Sequence, residues 1–172
     1  MRPRITGWKQ RSGLGLVMLN GWSWAGVSSL SRDLAAARLN IPFLLLQEGE
    51  GRVQGGLALT RSDSRQAQDA ARRLARDNGW PLPLLIEPVS ALVLYPLGGA
   101  LALPAEALAA LAGTGVAPAA MGTSPAALTL ILAEAGLPRA VRALRRSFGL
   151  PPGDTPRQET VSVVQSQRRR EG

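Results

Sequence analysis

The chain has 172 residues, of which 45% are hydrophobic and 19% charged, enough to bury a core without disulfide or metal staples. It contains no Cys and no His, which removes thiolate nucleophiles, Ser–His and Cys–His pairs and the usual Cys/His zinc sites together. The net charge of +8 comes from 19 Arg and one Lys set against 12 Asp and Glu; the arginines are not interleaved with aromatics, so they read as solvated charge in preference to a single-strand nucleic-acid platform.

No apolar h-region follows Met1-Arg2-Pro3-Arg4, so no signal peptide is expected. No stretch is long and apolar enough for a membrane span, and the cytoplasm is the expected compartment.

Leu14-Gly15-Leu16-Val17-Met18-Leu19 reads as a buried strand ending in the turn Asn20-Gly21. Over residues 27–39, Val27, Leu30, Leu34 and Ala37 recur at helical spacing, with Arg32, Asp33 and Arg38 off that face. Residues 41–46 are nearly all apolar, as a strand buried on both faces would be. Glu48-Gly49-Glu50-Gly51 turns the chain, and residues 55–60 form the returning strand. Ser62-Asp63-Ser64 offers cap residues for a helix to about Asp77, with Ala67, Ala70, Ala71 and Leu74 inward and Asn78-Gly79 closing it.

The order then repeats. Residues 82–86 and 89–95 are strand-like runs separated by Glu87-Pro88. Pro104 opens a helix to Gly113, residues 116–121 and 127–132 are strands around Gly122-Thr123-Ser124-Pro125, and Pro138 opens a second helix closed by Gly149. That helix points Val141, Leu144 and Phe148 inward and Arg139, Arg142, Arg145 and Arg146 outward. A Pro/Gly-rich link then leads to a last strand over 161–165. The repeated β-α-β-β-α order predicts a duplicated α+β architecture with helices on one face of each antiparallel sheet. Gly13-Leu14-Gly15 and Gly55-Gly56 lack the context of a phosphate loop and read as structural turns. Trp22 and Trp24 either line a pocket or bury against a partner subunit.

Gly115-Val116, then Met121-Gly122-Thr123-Ser124, Leu128-Thr129-Leu130-Ile131 and Ala140-Val141-Arg142-Ala143-Leu144 with Phe148-Gly149-Leu150 resemble the second ACT domain of aspartate kinases. Asn20 with Gly26-Val27-Ser28-Ser29, followed by Leu39-Asn40-Ile41 and Gln47, is similar to the preceding ACT domain. The resemblance implies an α+β fold of two ferredoxin-like βαββαβ (ACT) units, over residues 5–87 and 88–167, with 168–172 a disordered basic tail. The last strand would complete the second unit or return to the first.

By the same resemblance the chain is a standalone regulatory protein, not an enzyme, that binds a small ligand, an amino acid, at a domain or subunit interface. Asn20, Gly26 and Val27 would face the ligand's α-carboxylate and α-amine, since a helix N-terminus favours negative charge. Asn40 and Gln47 would add polar contacts. The second unit has Leu101-Ala102 where the Pro-Gly pair of the ACT pattern would fall. Implied partners are an amino-acid ligand, a second copy of the chain and a partner enzyme, with no cofactor, catalytic residue, metal or membrane, and nucleic acid disfavoured. Two rivals remain at this point: a basic nucleic-acid-binding module, motivated by the charge, and a ligand-free regulatory subunit of an amino-acid biosynthetic enzyme.

Overall fold

The computed structural model describes residues 4–97, 102–150 and 155–158. The strand expected over 161–165 and the basic tail lie outside the described residues. The chain opens with a 19-residue strand, β1 (Arg4–Trp22), much longer than the apolar run at 14–19 suggested. Helix α1 (Trp24–Ala36) follows, capped by Ser23, whose Oγ accepts from the Gly26 N–H. Strands β2 (Phe43–Gly49) and β3 (Arg52–Thr60) form a hairpin, and α2 (Arg61–Asn78) starts at a Thr60 cap and ends at left-handed Gly79. The two runs expected at 82–86 and 89–95 are one strand, β4 (Leu84–Leu97), which passes straight through a cis Glu87–Pro88 bond. Then come α3 (Leu103–Ala112), β5 (Ala120–Thr123), β6 (Leu128–Ala133), a 3-10 turn (Glu134–Gly136), α4 (Leu137–Ser147) and β7 (Arg157–Gln158).

Among the described residues all seven strands join one sheet, in the order β2-β3-β1-β4-β6-β5, with β7 lying parallel beside β1. Within it are two ferredoxin-like units that share their longest strands. The first consists of the C-terminal part of β1, α1, β2, β3, α2 and the start of β4, with Leu14 to Trp22 paired to β3 and Leu16 to Met18 paired to Ile86, Leu85 and Leu84. The second consists of the rest of β4, α3, β5, β6 and α4, and its closing strand is the N-terminal part of β1: Arg4 to Arg11 run antiparallel to Leu97 to Ala91. The division expected after residue 87 thus falls inside β4, and residues 4–11 lie with the second unit.

Strand alternation sorts the side chains into separate cores. Val17, Leu19, Trp22, Val53, Leu57 and Leu59 meet Val27, Leu30 and Leu34 of α1 and the alanines Ala67, Ala70, Ala71 and Ala75 of α2. In the second unit Trp8, Leu92, Leu94, Leu128, Leu130 and Leu132 meet Leu103, Ala107 and Leu111 of α3 and Leu137, Ala140 and Leu144 of α4. The opposite, helix-free faces pack on each other through Leu14, Leu16, Ala58, Val89, Ala91 and Ile131. The sheet therefore coils until its two ends touch: a Cβ on Gly122 in β5 would sit 3.1 Å from the ring of Phe43 in β2.

Both shared strands are pinned where they change units. In β1 the change falls at Gly13, whose φ of 71° is the left-handed conformation glycine tolerates best, and its N–H donates to Glu134 Oε1 at 2.9 Å. In β4 it falls at Glu87, whose Oε1 accepts from Arg65 Nε and Nη2 at 3.1 and 2.8 Å. That hydrogen bond, helped by the charges of Arg65 and Arg61 and opposed by desolvation, holds the Glu87 carboxyl below its ordinary range. Since the folded-state value is the depressed one, ionised Glu87 adds stability above its unfolded value, and the increment disappears as pH falls through the folded value. The expected result is that Glu87→Gln lowers the Tm at neutral pH and that the gap to the parent closes on acidification below the carboxylate range. Calorimetric scans across that window check it; a gap that stays constant with pH would mean the pair contributes nothing.

Candidate functional site

The strand register places a cavity of about 540 Å³ on the helix-free face of the first unit. On that face β1 presents Met18 and Asn20, β2 presents Leu45 and Gln47, β3 presents Gln54 and Gly56, and β4 presents Leu84 and Ile86. Asn20 pairs with Gln54 and Gln54 with Gln47, so three carboxamides form a transverse row across three strands. One step along, Met18, Gly56 and Leu45 form the next row, with Leu84 opposite Met18. The row after that is Leu16, Ala58 and Phe43, which belongs to the closed core between the units. The face thus grades from polar and open to apolar and shut.

Gly56 matters to that shape. A Cβ there would lie 2.9 Å from both Leu16 Cδ1 and Met18 Sδ, so a side chain at this position would push these two chains off β3. The second unit closes one side of the cavity with Ala119 and Ala120 at the start of β5, and Pro81 and Leu82 form part of the wall before β4. Leu82 and Leu84 are 58% and 61% exposed, large apolar groups left facing water around an apolar floor. Asn20, Gln47 and Gln54 are exposed and make no side-chain hydrogen bond with another described residue. Among the described residues no Asp, Glu, Lys or Arg lines this cavity. The arrangement can bury an apolar group while offering neutral donors and acceptors at its mouth.

Of the five residues expected to hold a ligand, the fold brings Asn20 and Gln47 together here. Gly26 and Val27 lie elsewhere, in the first turn of α1. Their N–H groups are engaged by Ser23, through Oγ for Gly26 and the carbonyl for Val27. Gly26 sits beneath Trp80, where a Cβ would be 2.5 Å from the ring, and Val27 is buried in the first unit's core. Asn40 is exposed in the link between α1 and β2.

The middle carboxamide, Gln54, escaped sequence reasoning because the strand was expected to begin at Gly55. Its signal was the alternation Gln54, Gly56, Ala58 on one face of β3, which the Gly55-Gly56 pair disguised as a turn. Trp22 is fully buried in its own unit, donating from Nε1 to the Pro81 carbonyl, so it lines neither a pocket nor a subunit contact. Trp24 is half exposed and donates to Glu48 Oε2 at 2.7 Å. Ser124 closes the β5–β6 turn, accepting from the Ala126 and Ala127 N–H groups. Among the described residues no group of three metal-ligating side chains converges, and no helix is long and apolar enough to cross a membrane.

No family model matches the sequence, and no curated protein matches it. Solved structures do. The regulatory subunit of aspartate kinase from Thermus flavus superposes with a TM-score of 0.74 at 18% identity, covering 84% of this chain and 99% of that one. The ligand-free regulatory subunit from Thermus thermophilus gives 0.71 at 19% identity, covering 84% and 98%. Aspartate kinase from Synechocystis gives 0.76 at 16% identity, covering 92% of this chain but only 29% of that enzyme. The fold is therefore that of the tandem ACT units in aspartate kinase regulatory subunits, as the short sequence motifs implied.

Proposed function

We propose that this chain is a cytoplasmic regulatory protein, not an enzyme, which binds an amino acid and passes the binding signal to a partner enzyme. The observation that supports it most directly is architectural. Both units share β1 and β4 as continuous strands, so a ligand seated on the first unit strains or relaxes strands that also belong to the second. The match in extent to separate regulatory subunits points the same way, since 99% of one such subunit is covered. Ligand contact is assigned to Asn20 and Gln47 in the cavity. Gly26 and Val27 are buried with their N–H groups engaged by Ser23, so of the α1 region only the exposed Asn40 could add a contact, seen from a second subunit.

That second subunit would be another copy of this chain. β2 ends the sheet order and pairs only with β3 among the described residues, which leaves an unpaired edge. Leu44 on β2 and Trp24 beside it are 52% and 49% exposed. A nucleic-acid role is less favoured by the faces: Phe43, the aromatic on the helix-free face of β2, is packed on Gly122 instead of presented for stacking.

The experiment is a thermal-shift screen of the common amino acids with light scattering in parallel. A true ligand at a hundredfold excess over Kd should stabilise by about 2.7 kcal/mol. A flat response to every amino acid would reject ligand sensing and leave the reading of a ligand-free regulatory subunit, which recovery of a biosynthetic enzyme in pull-down would then support.

A further inference from the structure

We propose that the ligand is an α-amino acid with an uncharged apolar side chain, seated side chain first on the helix-free face of the first unit. This rests on the amino-acid reading above and narrows it to a class. Three observations carry it: the floor is formed by Met18, Leu45 and Ile86 with Leu84 at its edge, the polar side chains at the mouth among the described residues are the carboxamides of Asn20, Gln54 and Gln47, and no charged side chain among the described residues lines the cavity.

A zwitterion brings two charges, and both can be met at the mouth. A carboxamide oxygen accepts from an ammonium and its NH₂ donates to a carboxylate, so one residue type serves both ends. Neighbouring strands lie about 4.8 Å apart, so adjacent members of the row can address the ammonium and the carboxylate carried on one Cα. Asn20, Gln47 and Gln54 are exposed. The ligand's charges therefore stay in water, and only its side chain is desolvated. A lysine, arginine, aspartate or glutamate ligand would instead carry a charge onto a floor without a counter-charge, which is strongly disfavoured. A volume of about 540 Å³ accommodates a leucine, methionine or phenylalanine side chain. The exposed Leu84 on the floor's edge then acquires a role, as apolar surface that the ligand covers.

The test is isothermal titration of the full chain with a homologous series: alanine, 2-aminobutyrate, norvaline and norleucine, then lysine and aspartate. Affinity should rise by about fourfold per added methylene, with lysine and aspartate weaker than norleucine by at least about a hundredfold. The variant Leu84→Glu, at a position 61% exposed and so safe for folding, places a carboxylate on the floor's edge. It should weaken norleucine by about tenfold or more and narrow the gap to lysine. Binding of lysine or aspartate with no dependence on chain length would overturn the class while leaving amino-acid sensing intact. Absence of binding by any amino acid would overturn both. Norleucine affinity unchanged in Leu84→Glu would show that the ligand sits elsewhere.

Discussion

Expressed apart, residues 1–87 and 88–172 are expected to remain unfolded, and mixing the two should restore structure. The reason lies in who closes which sheet. The second unit takes its fourth strand from Arg4 to Arg11, so a fragment beginning at Pro88 leaves the backbone of Val89 to Leu97 unpaired on that side. It also loses Trp8, which is 3% exposed and lies in the core with Leu94, Leu103 and Phe148. The first fragment loses Val89, Ala91 and Ile131, which cover Leu14, Leu16 and Ala58 on the helix-free face. Each half would expose an apolar face and a long strand edge at once, and domains of this size are held by only about 5–15 kcal/mol. Far-UV circular dichroism of each fragment and of their mixture checks this. A folded isolated fragment 88–172 would show that β1 is an ornament to the second unit, and the coupling route proposed for the ligand signal would lose its basis. A milder version removes residues 1–11 from the whole chain and should abolish cooperative unfolding of the second unit while sparing the hairpin of β2 and β3.

Why that sharing was hard to see in the sequence is physical. A strand reveals itself when one face is apolar and the other polar in strict alternation. Residues 4–13 carry Thr6, Lys9, Gln10, Arg11 and Ser12 around Trp8, and register shifts at Ile5/Gly7 and Arg11/Leu14 break the period twice. Pro88 likewise reads as the end of a strand, since proline cannot donate to a ladder, yet β4 continues through it. The helices were legible because α1, α2 and α4 each bury one stripe against the sheet, and α2 and α4 carry stop signals, Gly79 for α2 and Gly149 just after α4. The site was half legible. Asn20 and Gln47 stand out as polar residues in apolar strands, but only the register reveals that Gln54 lies between them. The short ACT-like motif drew attention to Gly26 and Val27 without specifying their surroundings, and here Trp80 and Ser23 occupy the space and the hydrogen bonds that a ligand would need.

Trp22→Ala should be the most damaging single truncation in the first unit. Trp22 is fully buried at the point where β1 ends, α1 begins and the α2–β4 link passes over both. Its indole N–H satisfies the Pro81 carbonyl at 3.0 Å, and its ring meets that of Trp80 at 5.1 Å between centroids. Trp80 in turn lies on Gly26, so the three residues tie the start of α1 to the link. Truncating a buried tryptophan to alanine costs about 3–5 kcal/mol, and an orphaned carbonyl at Pro81 adds about 1–3 kcal/mol where water does not reach it. At about 2–4 °C per kcal/mol for a chain of this length, the Tm should drop by on the order of 10 °C or more. Trp24 supplies the control two residues away. It is 49% exposed and its hydrogen bond to Glu48 is exposed as well, so Trp24→Ala should stay within about 1 kcal/mol of the parent. Gly26→Ala should fall between them, because its Cβ would meet the Trp80 ring at 2.5 Å and that ring can yield only by loosening its contact with Trp22. Urea titrations of the three variants rank them directly. Equal midpoints for Trp22→Ala and Trp24→Ala would mean that the Trp22–Trp80–Gly26 cluster does not hold the first unit together.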